Sequence, residues 1–353
     1  VDKAIVAHSP GQRLSTLQGA WLAFCMTAIL VTNSICWARF ERASLGTYSL
    51  AALSWMFRHA KIPWEHLLVA SVRVMLESYG ITGGSLVIDD TDKQRSKTAT
   101  TLAHLYKLRD KESGGYIWGQ SLVFLLLITP TITIPMGFAF YQPAPELSAW
   151  YKEDKRRKQQ GVPKQQRPPK PPPNPTYPTK QELALRLLRQ CKAHHPELRV
   201  HCIGADALYG ASTFVDAASA IFGGVQVISQ LRSNQKVRVY KREQYVADYF
   251  TTHPGTPQKI RIRGGEEITV LVGSARMYVC AHHTKRFIIA LKYEGEDSYR
   301  YLMASDLTWR TLDIVQGHTL RWLVEVFVQD WKSHEGWNQL TKQPGEEGAR
   351  QSV

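Results

Sequence analysis

The sequence of 353 residues predicts an α/β protein with a helical N-terminal region and a β-rich insertion before its last helix. Three observations predict it. Apolar residues recur at three- and four-residue spacing through the first 80 residues, which is typical of helices. Residues from about 85 to 231 follow the order strand, strand, strand, helix, strand, helix, strand. Short strand patterns then fill residues 235–304, and a helical pattern returns over Leu312–Trp331.

These patterns divide the chain, whose length suits two or three domains, into five parts. The parts are a helical N-terminal domain (1–80), the first part of an α/β core (81–231), a β-rich insertion (232–305), the last part of the core with its helix (306–343) and a polar tail (344–353).

The N-terminal helices are predicted from the runs LSTLQGAWLAFCMTAIL and SLAALSWMFRHA, the second of which is broken at Ile62 and Pro63. Basic residues lie in and between these helices, namely Arg39, Arg42, Arg58 and Lys61. The pattern fits either a helix-turn-helix-like DNA reader or, with some preference, a helical cap whose basic side chains are solvated.

The first three strands of the core are predicted at SLVID (85–89), YIWGQSLVFLLLI and TITIPMGFAFY. The segment from Ser113 to Pro145 carries no charged residue, which is also typical of a membrane span. Pro130 and Pro135 interrupt it, however, and the β-branched run TITI favours paired strands. We therefore predict strands here and no membrane.

Residues 151–178 are rich in proline, lysine and arginine and predict a flexible or polyproline loop, because such a segment cannot build a core. Its cations Lys155, Arg156, Arg157 and Lys158 either contact phosphates or belong to a solvated linker. Thr179 then begins a helix over Lys180–His194, with Glu182 completing a capping box. A strand (198–206) ending at an aspartate, a short helix (212–222) and a further strand (225–231) follow.

The composition restricts the function. Lysine and arginine exceed aspartate and glutamate by 14, and the sequence pI is near 9.5, which favours a polyanionic partner, with nucleic acid ahead of an acidic membrane. The five cysteines are scattered without CxxC spacing. That argues against a disulfide scaffold and a thiolate zinc site and predicts a reducing, intracellular compartment.

Three acidic residues are the candidate catalytic groups. Asp90 follows the strand SLVID, Asp206 ends the strand in VHCIGAD, and Glu325 lies in the last predicted helix. Each alone is more typical of a turn or of a solvated helix face. On a single helix, however, the residues His318, Arg321, Glu325 and Lys332 would fall within an arc of roughly 60°. One acid flanked by cations is either an ion-pair ladder or a metal-binding acid beside phosphate-binding groups.

These residues resemble a known family. The spacing His318-x2-Arg321-x3-Glu325-x6-Lys332 resembles the Tyr-x2-Arg-x3-Glu-x6-Lys signature of one branch of the DDE transposases of bacterial insertion sequences, with histidine at the tyrosine position. LVIDDT resembles the first aspartate motif of that family and assigns Asp90, with Asp89 as the alternative. ADALYG resembles the second motif and assigns Asp206. The resemblance covers about residues 85–340.

The resemblance implies a ribonuclease-H-like core, in which a mixed five-stranded sheet is flanked by helices. It also implies that Asp90, Asp206 and Glu325 hold two Mg²⁺ ions, with Mn²⁺ as a substitute. Six residues are then expected to contact DNA, namely Arg321, Lys332, His318, Lys93, Arg95 and Lys97. The implied partners are double-stranded DNA, both transposon ends and target, and a second copy of the chain on paired ends.

The implied activity is metal-dependent cleavage at transposon ends followed by strand transfer, in the bacterial cytoplasm at the nucleoid. Two alternatives remain open on the sequence alone. One is a ribonuclease-H-like nuclease without strand transfer. The other is a domesticated DNA-binding protein that keeps the fold without the catalysis, which the presence of all three acids disfavours.

Overall fold

The computed structural model describes residues 5–7, 11, 13–96, 102–109, 114–262 and 266–333. The predicted polar tail and Lys97 lie outside these residues. Within them, no single helix is long and apolar enough to cross a membrane, although one pair of helices bent by 93°, Thr16–Thr32 with Trp37–Ala43, passes the same test together.

The helices predicted in the first 80 residues are present. They are α1 (Thr16–Thr32), α2 (Trp37–Ala43), α3 (Leu50–His59) and α4 (Trp64–Ser78). An aromatic cluster joins them, because the ring of Trp21 on α1 lies 6.1 Å from that of Trp37 and 6.3 Å from that of Phe57. Val72 on α4 packs into the main core under the sheet, so the helical region is attached to the sheet through α4.

The described residues form twelve strands after these helices. They are β1 (Gly83–Gln94), β2 (Tyr106–Arg109), β3 (Tyr116–Ile128), β4 (Thr133–Tyr141), β5 (Arg199–Ala205), β6 (Gln226–Leu231), β7 (Lys236–Val239), β8 (Arg242–Tyr245), β9 (Thr256–Arg261), β10 (Glu267–Val279), β11 (Thr284–Tyr293) and β12 (Arg300–Ala304). Six helices lie between and after these strands. They are α5 (Pro145–Gln159), α6 (Lys180–His194), α7 (Ser212–Ile221), α8 (Val246–Thr252), α9 (Thr311–Thr319) and α10 (Trp322–Ser333).

All twelve strands belong to one mixed sheet. Its first half has the order β4, β3, β1, β5, β6, in which β3 is antiparallel to both β4 and β1 while β1, β5 and β6 are parallel. A large mixed sheet with flanking helices is compatible with a ribonuclease-H-like nuclease fold. The sheet does not stop at five strands, because β12 pairs antiparallel with β6 from Tyr301 opposite Leu231 onward. The insertion strands therefore extend the sheet.

The sheet has two covered faces, which we call the α6 face and the α10 face. Leu86 and Ile88 of β1 pack with Leu187 and Leu188 of α6 in the main core. Val87, between them, packs on the opposite side with residues of α10. Successive residues of a strand point to opposite faces, so the parity of a residue in β1 decides which helix it meets.

The predicted loop over 151–178 is wrong for its first third, because α5 continues to Gln159. Pro145 stands at the first helical turn, where proline is tolerated, and Glu153 bonds both Arg156 and Arg157, three and four residues later. No proline interrupts the segment again before Pro163. The overall composition of the segment concealed a local helix.

The predicted last helix is also wrong as a single unit, since it ends at Thr319 and restarts at Trp322. Between the two, the amides of Arg321 and Val324 bond carbonyls three residues back instead of four. The break follows the packing. In α9, Gly317 lies against Ile228 of β6, whereas Val324 of α10 packs over β1 and β3.

Candidate active site at the edge of the sheet

Three aspartates meet where two parallel strands end. The pairing of β1 with β5 stops at Ile88 opposite Ala205. Asp89 and Asp90 follow on β1, which continues to Gln94 through its pairing with β3, and Asp206 follows directly on β5. The strand predicted at 85–89 is thus longer than expected. Asp89 and Asp90 nevertheless lie where the pairing of β1 with β5 stops, because β5 ends at Ala205.

Asp89 faces α10. Its Oδ2 accepts a hydrogen bond from Nη1 of Arg321 at 3.0 Å, and its Oδ1 accepts one from the backbone amide of Asp90 at 2.8 Å. Nη2 of the same arginine donates to Oε1 of Glu325 at 3.2 Å. One guanidinium therefore joins a carboxylate on β1 to a carboxylate on α10. The side chains of Asp89 and Arg321 are 16% and 17% exposed, whereas that of Glu325 is 55% exposed.

Burial dominates the charge state of Asp89. Desolvation raises its pKa to about 6, and the negative charges of Asp90 and Asp206 act in the same direction. The Arg321 guanidinium and the Asp90 amide oppose the rise without cancelling it. An acid with this environment holds its negative charge only where cations compensate it.

Asp90 faces the other way. Its Oδ2 contacts Nζ of Lys180, the first residue of α6, at 2.5 Å, and both side chains are more than four-fifths buried. The same ammonium lies 5.3 Å from the ring centre of Tyr141 at the end of β4. Asp90, the first choice from the sequence, therefore has its own cation on the α6 face and does not share one with Glu325.

Asp206 follows the last residue of β5, the strand beside β1. The hydroxyl of Ser229 on β6 donates to its backbone carbonyl at 2.9 Å and so fixes the turn that begins there. Its carboxylate makes no hydrogen bond or ion pair with any residue in the described part of the chain. Tyr209, three residues on, is fully buried, and its pKa is raised by burial and by the charges of Asp90, Asp89 and Asp206.

Basic residues gather beyond the acids on the α10 face. Nζ of Lys332 donates to the carbonyl oxygen of Asp92 at 2.9 Å. Burial lowers the pKa of Lys93, and the nearby charges of Arg95 and Lys332 lower it further. Three of the cations expected to contact DNA, namely Lys93, Arg95 and Lys332, thus lie near one another at the end of β1.

His318 is placed differently from the prediction. It belongs to α9, is 7% exposed, and its Nε2 lies 3.4 Å from Nε2 of Gln230. Burial lowers its pKa to about 4, and the charge of Arg321 adds to this. The prediction that it shares one helix face with Glu325 is wrong, since the helix breaks between them. His318 is buried in this structure, and its contact with DNA stays a prediction.

In the described part of the chain, no group of three His, Cys, Asp or Glu residues lies close enough together to hold a metal ion. The cation shared by Asp89 and Glu325 in this structure is Arg321. The donor types nevertheless suit a hard divalent ion, since all are carboxylate oxygens, and the Asp206 carboxylate lacks a protein partner.

Sequence reasoning missed the role of Lys180. One signal was available, because a lysine in the first turn of a helix opposes the helix dipole unless an acid compensates it. The Asp90 carboxylate supplies that compensation.

Comparison with known proteins identifies the family. Residues 47–278, well over half of the chain, match the family model described as DDE superfamily endonuclease. The match includes Asp89, Asp90 and Asp206 and ends before α9 and α10. A comparison with curated proteins found no match.

Among solved structures, the NurA nuclease from Sulfolobus solfataricus matches with a TM-score of 0.24 and 7% sequence identity, over 67% of this chain and 72% of that one. A similarity this low carries no argument. The family match does, and it agrees with the resemblance of the two aspartate motifs, while the signature around Glu325 lies outside it. The chain belongs to the DDE superfamily endonucleases, and it is therefore a nuclease acting on nucleic acid.

Proposed function

We propose that the protein is a DNA transposase, which cuts phosphodiester bonds at the ends of a mobile element and joins the cut ends to target DNA. Family membership supports the nuclease part of this function. One observation carries the site. Arg321 joins Asp89 on β1 to Glu325 on α10, beside Asp206 at the end of the adjacent strand.

We propose that Asp89, Asp206 and Glu325 hold two Mg²⁺ ions, with Mn²⁺ as a substitute. Carboxylate oxygens suit such ions, and the repulsion between Asp89 and Asp206 favours a cation beside them. Asp89 takes the place first given to Asp90, because Asp90 is compensated by Lys180 on the other face. When bound, the ions would activate the attacking water or 3′-hydroxyl and stabilise the leaving 3′-oxygen.

The cations of the site have separate tasks in this proposal. Arg321 pairs with both Asp89 and Glu325 in the free protein, and it gives up at least one of these ion pairs when both acids hold a metal. Its planar fork is then available to a phosphate, which it can bind with two hydrogen bonds. Lys93 and Lys332 supply point charges for neighbouring phosphates of the same strand.

Strand transfer uses the same residues, with a DNA 3′-hydroxyl in the place of water. We propose a homodimer that holds two element ends, in the bacterial cytoplasm at the nucleoid. The excess of 14 basic residues supports a DNA partner and predicts binding that weakens steeply as salt rises.

The test uses DNA that includes the regions flanking the gene, because the ends of an insertion sequence flank its transposase gene. The purified full chain is incubated with this DNA and Mg²⁺, and nicked and joined products are separated by electrophoresis. We expect Glu325→Gln to abolish both products. Glu197→Gln is the matched control, since Glu197 is exposed and lies just before β5, at the opposite edge of the sheet.

Unchanged nicking by the Glu325→Gln variant would overturn the site. Metal-dependent nicking without joined products would support the alternative of a nuclease that lacks strand transfer. DNA binding without any cleavage by the wild-type chain would support the non-catalytic DNA-binding protein.

A further inference from the structure

The segment between β4 and α6 begins and ends beside the acidic site. β4 ends at Tyr141, opposite Ser121 of β3, which pairs in turn with Asp92 of β1. The segment returns to the same place at Lys180, whose ammonium contacts Asp90 and lies over the Tyr141 ring. We call residues 145–175 the basic arm. Both ends of the arm therefore connect to the edge of the sheet that carries the acidic residues.

The arm stands away from the core but is held in shape. No residue of α5 is buried. Gly161, with φ of +78°, ends the helix, and the amide of Val162 bonds back to the carbonyl of Arg157, as in a Schellman cap. This turn directs the chain back along the helix.

Two contacts join the returning chain to α5. The indole N–H of Trp150 donates to the carbonyl oxygen of Pro168 at 2.8 Å. Arg167 pairs with Asp154 at 3.0 Å, and the two side chains are only 15% and 27% exposed. These contacts distinguish the arm from a solvated linker, which would have no fixed position.

The returning chain has the periodicity of a polyproline helix. The residues at every third position are half-buried, and the residues between them are exposed. The half-buried residues are Pro168, Pro171 and Asn174, and the chain then turns, because the amide of Tyr177 bonds the carbonyl of Asn174. A polyproline II helix has three residues per turn, so one side of this chain packs while the other two are presented to solvent. Such a segment loses little conformational entropy on binding, because proline has already fixed its backbone.

The exposed surface of the arm is basic. Residues 145–175 contain eight lysine and arginine residues and three acidic residues. Two of the acids are already neutralised within the arm, Glu153 by Arg156 and Arg157 and Asp154 by Arg167. Five exposed lysines have no ion-pair partner among the residues that the structure describes. They are Lys152, Lys155, Lys158, Lys164 and Lys170.

We propose that the basic arm is a binding surface for the phosphate backbone of duplex DNA, extending the contact with DNA outward from the acidic edge. The inference rests on the proposed function, in that the ligand is the DNA which the site cuts. The base of the arm lies beside Asp90, the neighbour of Asp89 on β1, its shape is fixed, and its uncompensated charge is complementary to phosphate. Lys152, Lys155 and Lys158 recur every three residues along α5, so they lie on one side of that helix.

The experiment measures binding of a fluorescein-labelled DNA duplex of arbitrary sequence by anisotropy at several KCl concentrations. The test variant is Lys152→Gln, Lys155→Gln and Lys158→Gln in one full chain. The matched control makes the same change of charge at the far end of the sheet, in the insertion. Its exposed positions are Lys241, Lys259 and Lys285. Thermal unfolding curves establish that both variants are folded.

Each phosphate contact that is lost reduces the slope of log K against log salt by about 0.9, so we expect the arm variant to reduce it by about 2 to 3. Affinity near 0.1 M salt should fall at least about tenfold. The insertion variant should change both quantities much less. Equal losses in the two variants, or none in the arm variant, would overturn the proposal.

The proposed function fails separately. If the arm variant binds weakly and Glu325→Gln still cuts DNA, the arm is right and the catalytic site is wrong. If the arm variant binds normally and Glu325→Gln abolishes cutting, the site is right and the arm is wrong.

Discussion

Asp89 and Asp90 are neighbours in the chain, but they form ion pairs on opposite faces of the sheet. Asp89 points to the α10 face and shares Arg321, which is 232 residues away in sequence, with Glu325. Asp90 points to the α6 face and pairs with Lys180, at the base of the basic arm. Both acids are largely buried beside one cation. The difference between them lies in what that cation also contacts.

The comparison separates two uses of a buried ion pair. The Lys180 ammonium pairs with one carboxylate and lies against the Tyr141 ring, which ties the start of α6 to β1 and β4. The Arg321 guanidinium is divided between two carboxylates, one of them more than half exposed, and its Nε atom is buried without a hydrogen-bond partner among the described residues. In the first arrangement, one cation compensates one carboxylate. In the second, a ligand can replace one of the contacts of the arginine.

The largest expected effect tests this assignment directly. Asp89→Asn should reduce the rate of DNA cleavage by about a thousandfold or more, since it removes a proposed metal ligand without changing the size of the side chain. Asp90→Asn should retain measurable cleavage. The measurement is the initial rate of nicking in Mg²⁺ with each variant at equal DNA occupancy. The reverse ranking would return the first ligand position to Asp90.

The next effect is on stability. Lys180→Met leaves the buried Asp90 charge without its partner, which should lower the free energy of unfolding by about 3 kcal/mol. Adding Asp90→Asn to this variant should recover much of the loss, because no unpaired charge then remains. Urea denaturation of the single and double variants measures both.

Arg238→Met is the control for this effect, as the pair of Arg238 with Glu243 is about half exposed on each side. Pairs of that kind contribute about 1 kcal/mol or less. If Lys180→Met lowered the free energy of unfolding no more than Arg238→Met does, Asp90 and Lys180 would not be the mutually compensating buried pair described above.

Much of the fold could be predicted from the sequence, because its signals are local. The capping box of Thr179 and Glu182 and the leucine spacing locate α6 at its observed bounds. The apolar run of β3 and the β-branched residues at the start of β4 located these two strands. The helix α5 was missed because composition was averaged over a segment whose first residues have their own ion pairs at three- and four-residue spacing. The extension of the sheet through β12 was missed because pairing between distant strands leaves no local pattern.

The sequence predicted which residues form the candidate site but not which of them face one another. Sequence patterns indicated the acids at 89, 90, 206 and 325 and the cations around them. They did not indicate which of two adjacent aspartates meets Glu325, since strand residues alternate between faces and the choice depends on where α10 packs. That position depends in turn on the break between α9 and α10, which arises from tertiary packing against β6 and β1.

The pH dependence of stability gives the third test. The pKa of Asp89 is about 6 in the folded protein, against an ordinary value near 4, so the folded state holds the proton more tightly than the unfolded state. Stability in metal-free buffer should therefore fall as the pH rises from about 4 to about 6, by an amount of order 2 kcal/mol. Asp89→Asn should remove this decline.

The comparison of Asp89→Asn with wild type isolates this group. His318, whose pKa is lowered to about 4, acts in the opposite direction over part of the same range, but it is present in both proteins and cancels in their difference. Urea denaturation at several pH values measures the difference. Parallel curves for the two proteins would mean that Asp89 is not held in a desolvated environment.

The smallest expected effect concerns Arg321 as the cation that a metal replaces. Arg321→Gln leaves Asp89 and Glu325 without their shared positive charge, so Mn²⁺ binding in the absence of DNA should become about tenfold tighter, or about 1.4 kcal/mol. The measurement is the electron paramagnetic resonance signal of free Mn²⁺ during titration. Lys332→Gln is the control, because Lys332 bonds the Asp92 carbonyl and neither carboxylate, and it should change the affinity less. Weaker Mn²⁺ binding by Arg321→Gln would show that the arginine orients the two acids and does not compete with the metal ion for them. The ion pairs on the two faces of β1 would then differ only in where they lie.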